Sequence, residues 1–297
     1  MKQDNKDLQK ELERTIELFK QMEYDQKFQE NIDKLKDLAK KQDELAKEGE
    51  KKDAKADDLK AKQDSLNKQF DEFHKDMDEL AKKNEALEKK NDLPNTDQQE
   101  QDIQKDMQNS SNQLGENKSG KAAKSQKNAA QKMDEMSKQM EQRQQEQQQQ
   151  QQEEDENSLR ALLENLLRLS FDQEKLMQDL KNIDINNPQY LKLSQQQRKL
   201  KDDARMIEDS LFALSKRVSQ IASKVNQEIG AINMNMEAAL DDMEDRFVPQ
   251  ARTRQQFIMT SVNNLTLLLS EALQQMQQQQ AQSMQQSSCS KPGKKKS

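Results

Sequence analysis

The chain has 297 residues, of which 35% are charged, 31% hydrophobic and 3% aromatic, with only 5 glycines and 4 prolines. So few turn-forming residues, together with abundant Ala, Glu, Lys, Leu and Gln, predict an all-α protein built from long helices. The apolar content is too low for one large globular core but is enough for narrow seams between helices. A net charge of −6 from interleaved acidic and basic residues argues against nucleic-acid binding through bulk charge.

The first predicted region, residues 1–92, carries apolar residues in heptad spacing. Steps of three and four place these side chains on one stripe of a helix, which must be buried against another helix. The frame is unbroken across residues 49–53, so we expect a continuous helix from Tyr24 to Asn91, with a hairpin turn at 49–53 as the alternative. The stripe comprises Tyr24, Phe28, Leu35, Leu38, Leu45, Ala56, Leu59, Leu66, Phe70, Phe73, Met77, Leu80 and Leu87.

Part of this stripe is the first candidate helix-pairing interface. The same frame places three amides, Gln42, Gln63 and Asn84, on the stripe at intervals of three heptads. Either these amides simply weaken a polar coiled coil, or they fix the register or orientation of the paired helices. The candidate interface residues here are Leu59, Leu66, Phe70, Phe73, Met77 and Leu80.

The middle region, residues 93–157, is predicted to hold a short helix, a linker and a Met/Gln-rich helix. Thr96 is placed to cap a helix over 97–114, with Gly115 as its C-terminal stop. The glutamine tract at 144–152 is of low complexity, and we expect it to be helical if its neighbours hold it and disordered otherwise.

The third region, residues 158–286, is predicted to be an elongated antiparallel bundle, because short loops join its helices. Its leucines make an apolar face wider than a two-stranded seam, so this face should contact more than one helix. The basic tail, 287–297, is predicted to be disordered. The expected helices span about 158–181, 188–247 and 250–286. The second candidate helix-pairing interface is Leu162, Leu163, Leu166 and Leu167.

No segment carries a recognisable catalytic, cofactor or metal site. Glycine-rich phosphate loops and the G-x-S-x-G nucleophile motif are absent from the sequence. His74, the only histidine, excludes a histidine pair and lies on a charged helix where contact with solvent is expected. Cys289, the only cysteine, lies in a Ser-rich segment without a neighbouring base to activate its thiol. We therefore expect no enzymatic activity, no cofactor and no metal.

Four stretches carry a resemblance to a known family. They are LQKELERTIELFKQMEYDQKFQENIDKLKDLAKKQDELAK (8–47), LLENLLRLSFDQEKLM (162–177), NNLTLLLSEALQQM (263–276) and CSKPG (289–293). Together they resemble the helical region, outside the membrane, of large bacterial membrane-anchored proteins grouped as domain of unknown function 4175. The resemblance implies transmembrane helices ahead of this region and more sequence after it. Some members carry an ATPase label, but no nucleotide-binding motif is present here, and the family offers no catalytic residues to transfer.

These observations favour a non-enzymatic helical scaffold or spacer of the bacterial cell envelope. The heptad seams would bind partner helices, from this chain, from further copies in a homo-oligomer, or from another protein. The alternative is a regulatory or adaptor segment of a membrane-associated complex whose catalysis lies elsewhere. The chain has no run of about 18 apolar residues, so we expect membrane attachment only through segments outside it. The resemblance favours the periplasmic side.

Overall fold

The computed structural model describes residues 2–51, 54–218 and 221–289. Within these residues the fold is all-α, as predicted, with seven helices and no strand. None of the described helices is both apolar and long enough to cross a membrane. The helices are α1 (Lys2–Gly49), α2 (Ala56–Glu85), α3 (Asp97–Gly115), α4 (Ser119–Asn182), α5 (Gln189–Ser215), α6 (Ala222–Glu244) and α7 (Val248–Cys289).

The chain divides into two compact units. The first bundle comprises residues 15–150, and the second comprises residues 151–289 together with the start of α1. In the first bundle each helix is antiparallel to the next, because early residues of one contact late residues of its neighbour. Two contacts for each helix pair show this. They are Glu48–Lys62 and Glu23–Lys83 between α1 and α2, Asp64–Ser111 and His74–Glu100 between α2 and α3, and Gln113–Ser125 and Gln99–Gln139 between α3 and α4.

The continuous helix that the heptad frame favours over residues 24–91 is wrong. Helix α1 ends at Gly49 and α2 begins at Ala56, so the chain forms the hairpin alternative; residues 52–53 of the predicted turn lie outside the described residues. Both helices of the hairpin bury their apolar stripe. The heptad frame can therefore continue from α1 into α2 although the helix itself is interrupted. Helix α2 also ends at Glu85 rather than near residue 92.

In the second bundle, too, a helix predicted to be continuous is interrupted. The single helix expected over 188–247 is two helices, because α5 ends at Ser215 and α6 begins at Ala222. Lys201 lies 3.1 Å from Glu237, which brings α6 back along α5. The second bundle therefore has four helical segments, namely the C-terminal part of α4 with α5, α6 and α7. Contacts that join them are Gln173–Gln197, Lys201–Glu237, Asn264–Glu228 and Ser170–Asn263.

Helix α4 passes through the predicted boundary at residue 158. The Ser158 hydroxyl donates to the Glu154 carbonyl at 2.8 Å, one turn back within α4, so the helix is continuous at this residue. The glutamine tract at 144–152 is helical, the first of the two outcomes that the sequence left open. Helix α7 extends through Cys289, into the tail predicted to be disordered; residues 290–297 lie outside the described residues.

The ends of α3 are held by residues other than the predicted ones. The Thr96 hydroxyl donates to the Glu100 carboxylate at 2.6 Å instead of capping, while Asn95 Oδ1 accepts from the Asp97 amide at 3.1 Å. After the helix, Asn117 has the left-handed φ of 58°, which ends the helix in the way that a glycine often does. The start at Asp97 and the last residue, Gly115, agree with the sequence to within a residue.

Candidate functional site

The first candidate interface lies inside the first bundle. All six of its residues are buried, and they belong to one core cluster that also contains apolar residues from α1, α3 and α4. Phe70 and Phe73 stack with ring centroids 5.7 Å apart. These side chains therefore pair helices of their own chain, and within this fold they are not accessible to another protein.

The second candidate interface is divided between core and surface. Leu162 and Leu166 are buried in the core of the second bundle, and Leu163 packs against that core while partly buried. Leu167 is 42% exposed. The broad face does contact more than one helix, as predicted, but only Leu167 among the ten candidate residues presents its side chain to solvent.

A layer of hydrogen-bonded polar side chains crosses the core of the first bundle. Gln42 of α1 and Gln63 of α2 exchange reciprocal amide hydrogen bonds of 2.7 and 3.1 Å. Ser110 of α3 and Gln126 of α4 donate to the same Gln63 Oε1, at 3.1 and 2.9 Å. One residue from each of the four helices thus meets in a buried network, where each partner satisfies another. We name it the first glutamine layer.

The second bundle has a layer of the same design. Gln173 of α4 and Gln197 of α5 exchange reciprocal amide hydrogen bonds of 2.9 Å, and Gln255 of α7 donates to Gln197 Oε1 at 2.9 Å. The α6 position is Met236, whose sulfur accepts from Gln197 at 3.1 Å. Among the described residues, Gln255 Oε1 is buried and has no hydrogen-bond partner. We name this network the second glutamine layer.

The two layers match position by position. Counterpart positions are separated by about 130 residues along the chain, so each layer takes one residue from each of four successive helical segments. The sequence identified Gln42 and Gln63 as seam residues but missed their partners on α3 and α4, and it missed the second layer altogether. The available signal was a glutamine at a core position of a heptad, which does not reveal partners on other helices.

Asn84, the third seam amide, has a local role. Its side-chain amide donates to the Asn91 carbonyl at 2.8 Å, and its Oδ1 accepts from the Asn91 backbone amide at 2.7 Å. It therefore holds the chain that leaves α2 rather than joining a cross-helix layer.

His74 is exposed, as predicted, but it has a specific partner. Its Nδ1 contacts the carboxylate of buried Glu100 on α3, and this hydrogen bond raises the pKa of His74 above its ordinary value. Thr96 donates to the same carboxylate and not to the imidazole. The Glu100 carboxylate therefore links His74 of α2 to Thr96, the residue before α3.

The second bundle holds a cavity of about 220 Å³ near the end of α5. Buried Asp155 lines it and accepts from Arg217 Nε at 2.9 Å, so these two charges neutralise each other. Glu156, the other charged residue of the lining, pairs with Arg160 at 3.3 Å. Val218 and Met276 supply its apolar wall. Within the described residues no group of three or more His, Cys, Asp or Glu side chains is placed to hold a metal ion.

The exposed apolar side chains of the second bundle are a further candidate for function. Phe171 is 65% exposed and lies one turn beyond Leu167 on α4, so the two side chains are neighbours on one helix face. We name this pair the α4 apolar pair. Between them in the sequence, Ser170 bonds to Asn263 of α7 at 3.1 Å, which places the pair beside the α4–α7 contact. Isolated surface hydrophobics are ordinary, whereas adjacent ones favour a contact surface.

Comparison of the chain with protein-family models, curated proteins and solved structures finds no match. The resemblance to domain of unknown function 4175 therefore stays a prediction.

Proposed function

We propose that this chain is a non-enzymatic helical scaffold of the bacterial cell envelope, which acts by binding partner helices. The α4 apolar pair carries the proposal, because Leu167 and Phe171 are spaced as the anchors with which a helix binds an apolar surface of a partner. The closed cores of the two bundles suit a spacer, since their apolar seams are already paired within the chain. The envelope location rests on the family resemblance alone.

The proposal is tested by photo-crosslinking in intact bacterial cells from position 171. A crosslinker at Asn165, which is exposed on the same helix but faces another direction, is the matched control. We expect position 171 to capture a protein that position 165 does not. Capture of a second copy supports a self-associating scaffold, and capture of one reproducible foreign protein supports the adaptor alternative. Equal background from both positions would contradict a partner-binding function of this surface.

A crosslinker at a seam position would not test the proposal. Phe73 and Leu166 are almost fully buried, so a probe there would report only helices of the same chain. The surface position is therefore the informative one.

A further inference from the structure

Helix α7 is depleted of charge in a chain that is 35% charged. Between Arg254 and Lys291 the sequence contains a single charged residue, Glu271. Burial in the second bundle accounts for only one side of this helix, because its outward residues are exposed and still lack charge. Charged residues are depleted from the centres of protein–protein interfaces, so the outward side of α7 has the composition of a contact surface.

The exposed side chains of α7 form a second heptad stripe, opposite the one that packs into the bundle. They recur in steps of three and four residues, the spacing that places side chains along a helix-pairing seam. The stripe includes two large apolar residues, Phe257 at 52% and Leu267 at 62% exposure. We name it the outer stripe, and its residues are Gln250, Thr253, Phe257, Thr260, Asn264, Leu267, Glu271 and Gln274.

The order of apolar and polar residues in the outer stripe is symmetric about its centre, between Thr260 and Asn264. An antiparallel copy with its two-fold axis there would place Phe257 of one chain opposite Leu267 of the other, and Thr260 opposite Asn264. Farther out, a hydroxyl would face a carboxylate and one glutamine would face another. Asn264 donates one N–H to Glu228 of α6 and Thr260 donates to the Gln256 carbonyl, each at 3.0 Å, so Thr260 Oγ1 can accept from the second N–H of Asn264. The Thr253 hydroxyl donates to the Pro249 carbonyl at 3.0 Å and would turn to donate to the Glu271 carboxylate.

We propose that the outer stripe of α7 pairs with the same stripe of a second copy of the chain, antiparallel about a two-fold axis. The absence of net charge at its centre favours self-pairing, because a strongly charged face would repel its own copy. The inference rests on the proposed scaffold function and names one partner for it, the same protein.

The first test is sedimentation of the full chain as wild type and as Leu267→Glu. The substituted residue is exposed, so the bundle keeps its core, and circular dichroism verifies the helix content. Leu191→Glu is the matched control, since Leu191 is 65% exposed on α5 and lies outside the outer stripe. We expect Leu267→Glu to raise the dimer dissociation constant at least about 100-fold, because each dimer would bury two carboxylates against apolar side chains. Leu191→Glu should leave it unchanged.

A charge exchange tests the antiparallel register. Phe257→Lys and Leu267→Glu should each abolish self-association, but their mixture should form a heterodimer, which has one Lys–Glu pair and one unchanged Phe–Leu pair. A parallel arrangement would pair position 257 with position 257 and could not recover in this way.

The inference would be overturned by a wild type that is monomeric at about 100 μM, which is well above the micromolar range of weak specific contacts. It would also be overturned if Leu267→Glu and Leu191→Glu had equal effects, or if the mixture of Phe257→Lys and Leu267→Glu formed no heterodimer. A monomeric wild type together with capture of a foreign protein from position 171 would overturn self-pairing, but partner binding by the α4 apolar pair would stand in the form of the adaptor alternative. Absence of specific capture from position 171 would instead contradict partner binding by the α4 apolar pair, whatever the sedimentation of the chain shows.

Discussion

Replacing Gln63 by leucine should destabilise the first bundle more than its size suggests. The change removes the acceptor of three donors, from Gln42, Ser110 and Gln126, and the donor to Gln42 Oε1. A buried polar group left without a partner costs about 1–3 kcal/mol. The Ser110 hydroxyl can turn to a backbone carbonyl of its own helix, so the penalty falls on the amides of Gln42 and Gln126. We expect a loss of about 3–5 kcal/mol in the free energy of unfolding.

The control is a fully apolar layer, with leucine at 42, 63 and 126 and alanine at 110. Replacing every member of a buried polar network by apolar groups removes the unpaired atoms, so the cost should be small or the change even stabilising. The stability of this variant should therefore be close to that of the wild type, and clearly above that of Gln63→Leu.

The assay can be made specific for the first bundle, because the chain has two tyrosines and no tryptophan. Tyr24 is buried in the first bundle and Tyr190 in the second. In a Tyr190→Phe background, tyrosine fluorescence during urea denaturation follows Tyr24 alone. A loss below about 1 kcal/mol for Gln63→Leu, the cost of a single ordinary hydrogen bond, would refute the network. So would an apolar layer that is no more stable than the single variant.

Three further predictions concern single side chains. Phe73→Ala should lower the free energy of unfolding, measured by urea denaturation, by about 3–5 kcal/mol, because Phe73 is buried. Phe171→Ala, at an exposed position, should change it by less than about 0.5 kcal/mol. Equal losses of stability in the two variants would contradict the burial of Phe73. The hydrogen bond to Glu100 raises the pKa of His74 above its ordinary value of 6.5. The wild type should therefore be more stable than His74→Gln below pH 6.5, and this difference should decline as the pH rises through the raised pKa. Denaturation of both proteins between pH 5.5 and 9 checks the sign, and a difference that grows with pH would contradict it. Gln255→Leu should lower the free energy of unfolding by less than about 1 kcal/mol. The variant loses the hydrogen bond to Gln197, but it also removes a buried Oε1 that has no partner among the described residues. A thermal midpoint lowered by more than about 5 °C would contradict this and indicate that the oxygen has a partner.

Local pattern was sufficient for the all-α fold class and for most of the core, but not for where the long helices end. The stripe from Tyr24 to Leu87 is buried almost throughout, because heptad spacing dictates which side of a helix is apolar wherever that helix lies. The start of α3 at Asp97 also agreed with the local pattern, although the Thr96 hydroxyl expected to cap it donates to Glu100 instead. The glutamine layers were only partly visible, because a hydrogen bond between Gln63 and Gln126 joins residues far apart in sequence.

The sequence by itself determined that the chain is helical and which side of each helix is apolar, because both depend on residues within a few turns of one another. The tertiary structure decided which other helix packs against that apolar side. A stripe that continues in frame past Gly49 can be buried in a straight helix pair or in a hairpin, and the alternatives differ only in long-range packing. The same long-range packing left Leu167 and Phe171 exposed, since the helices that bury the rest of the leucine face do not cover them.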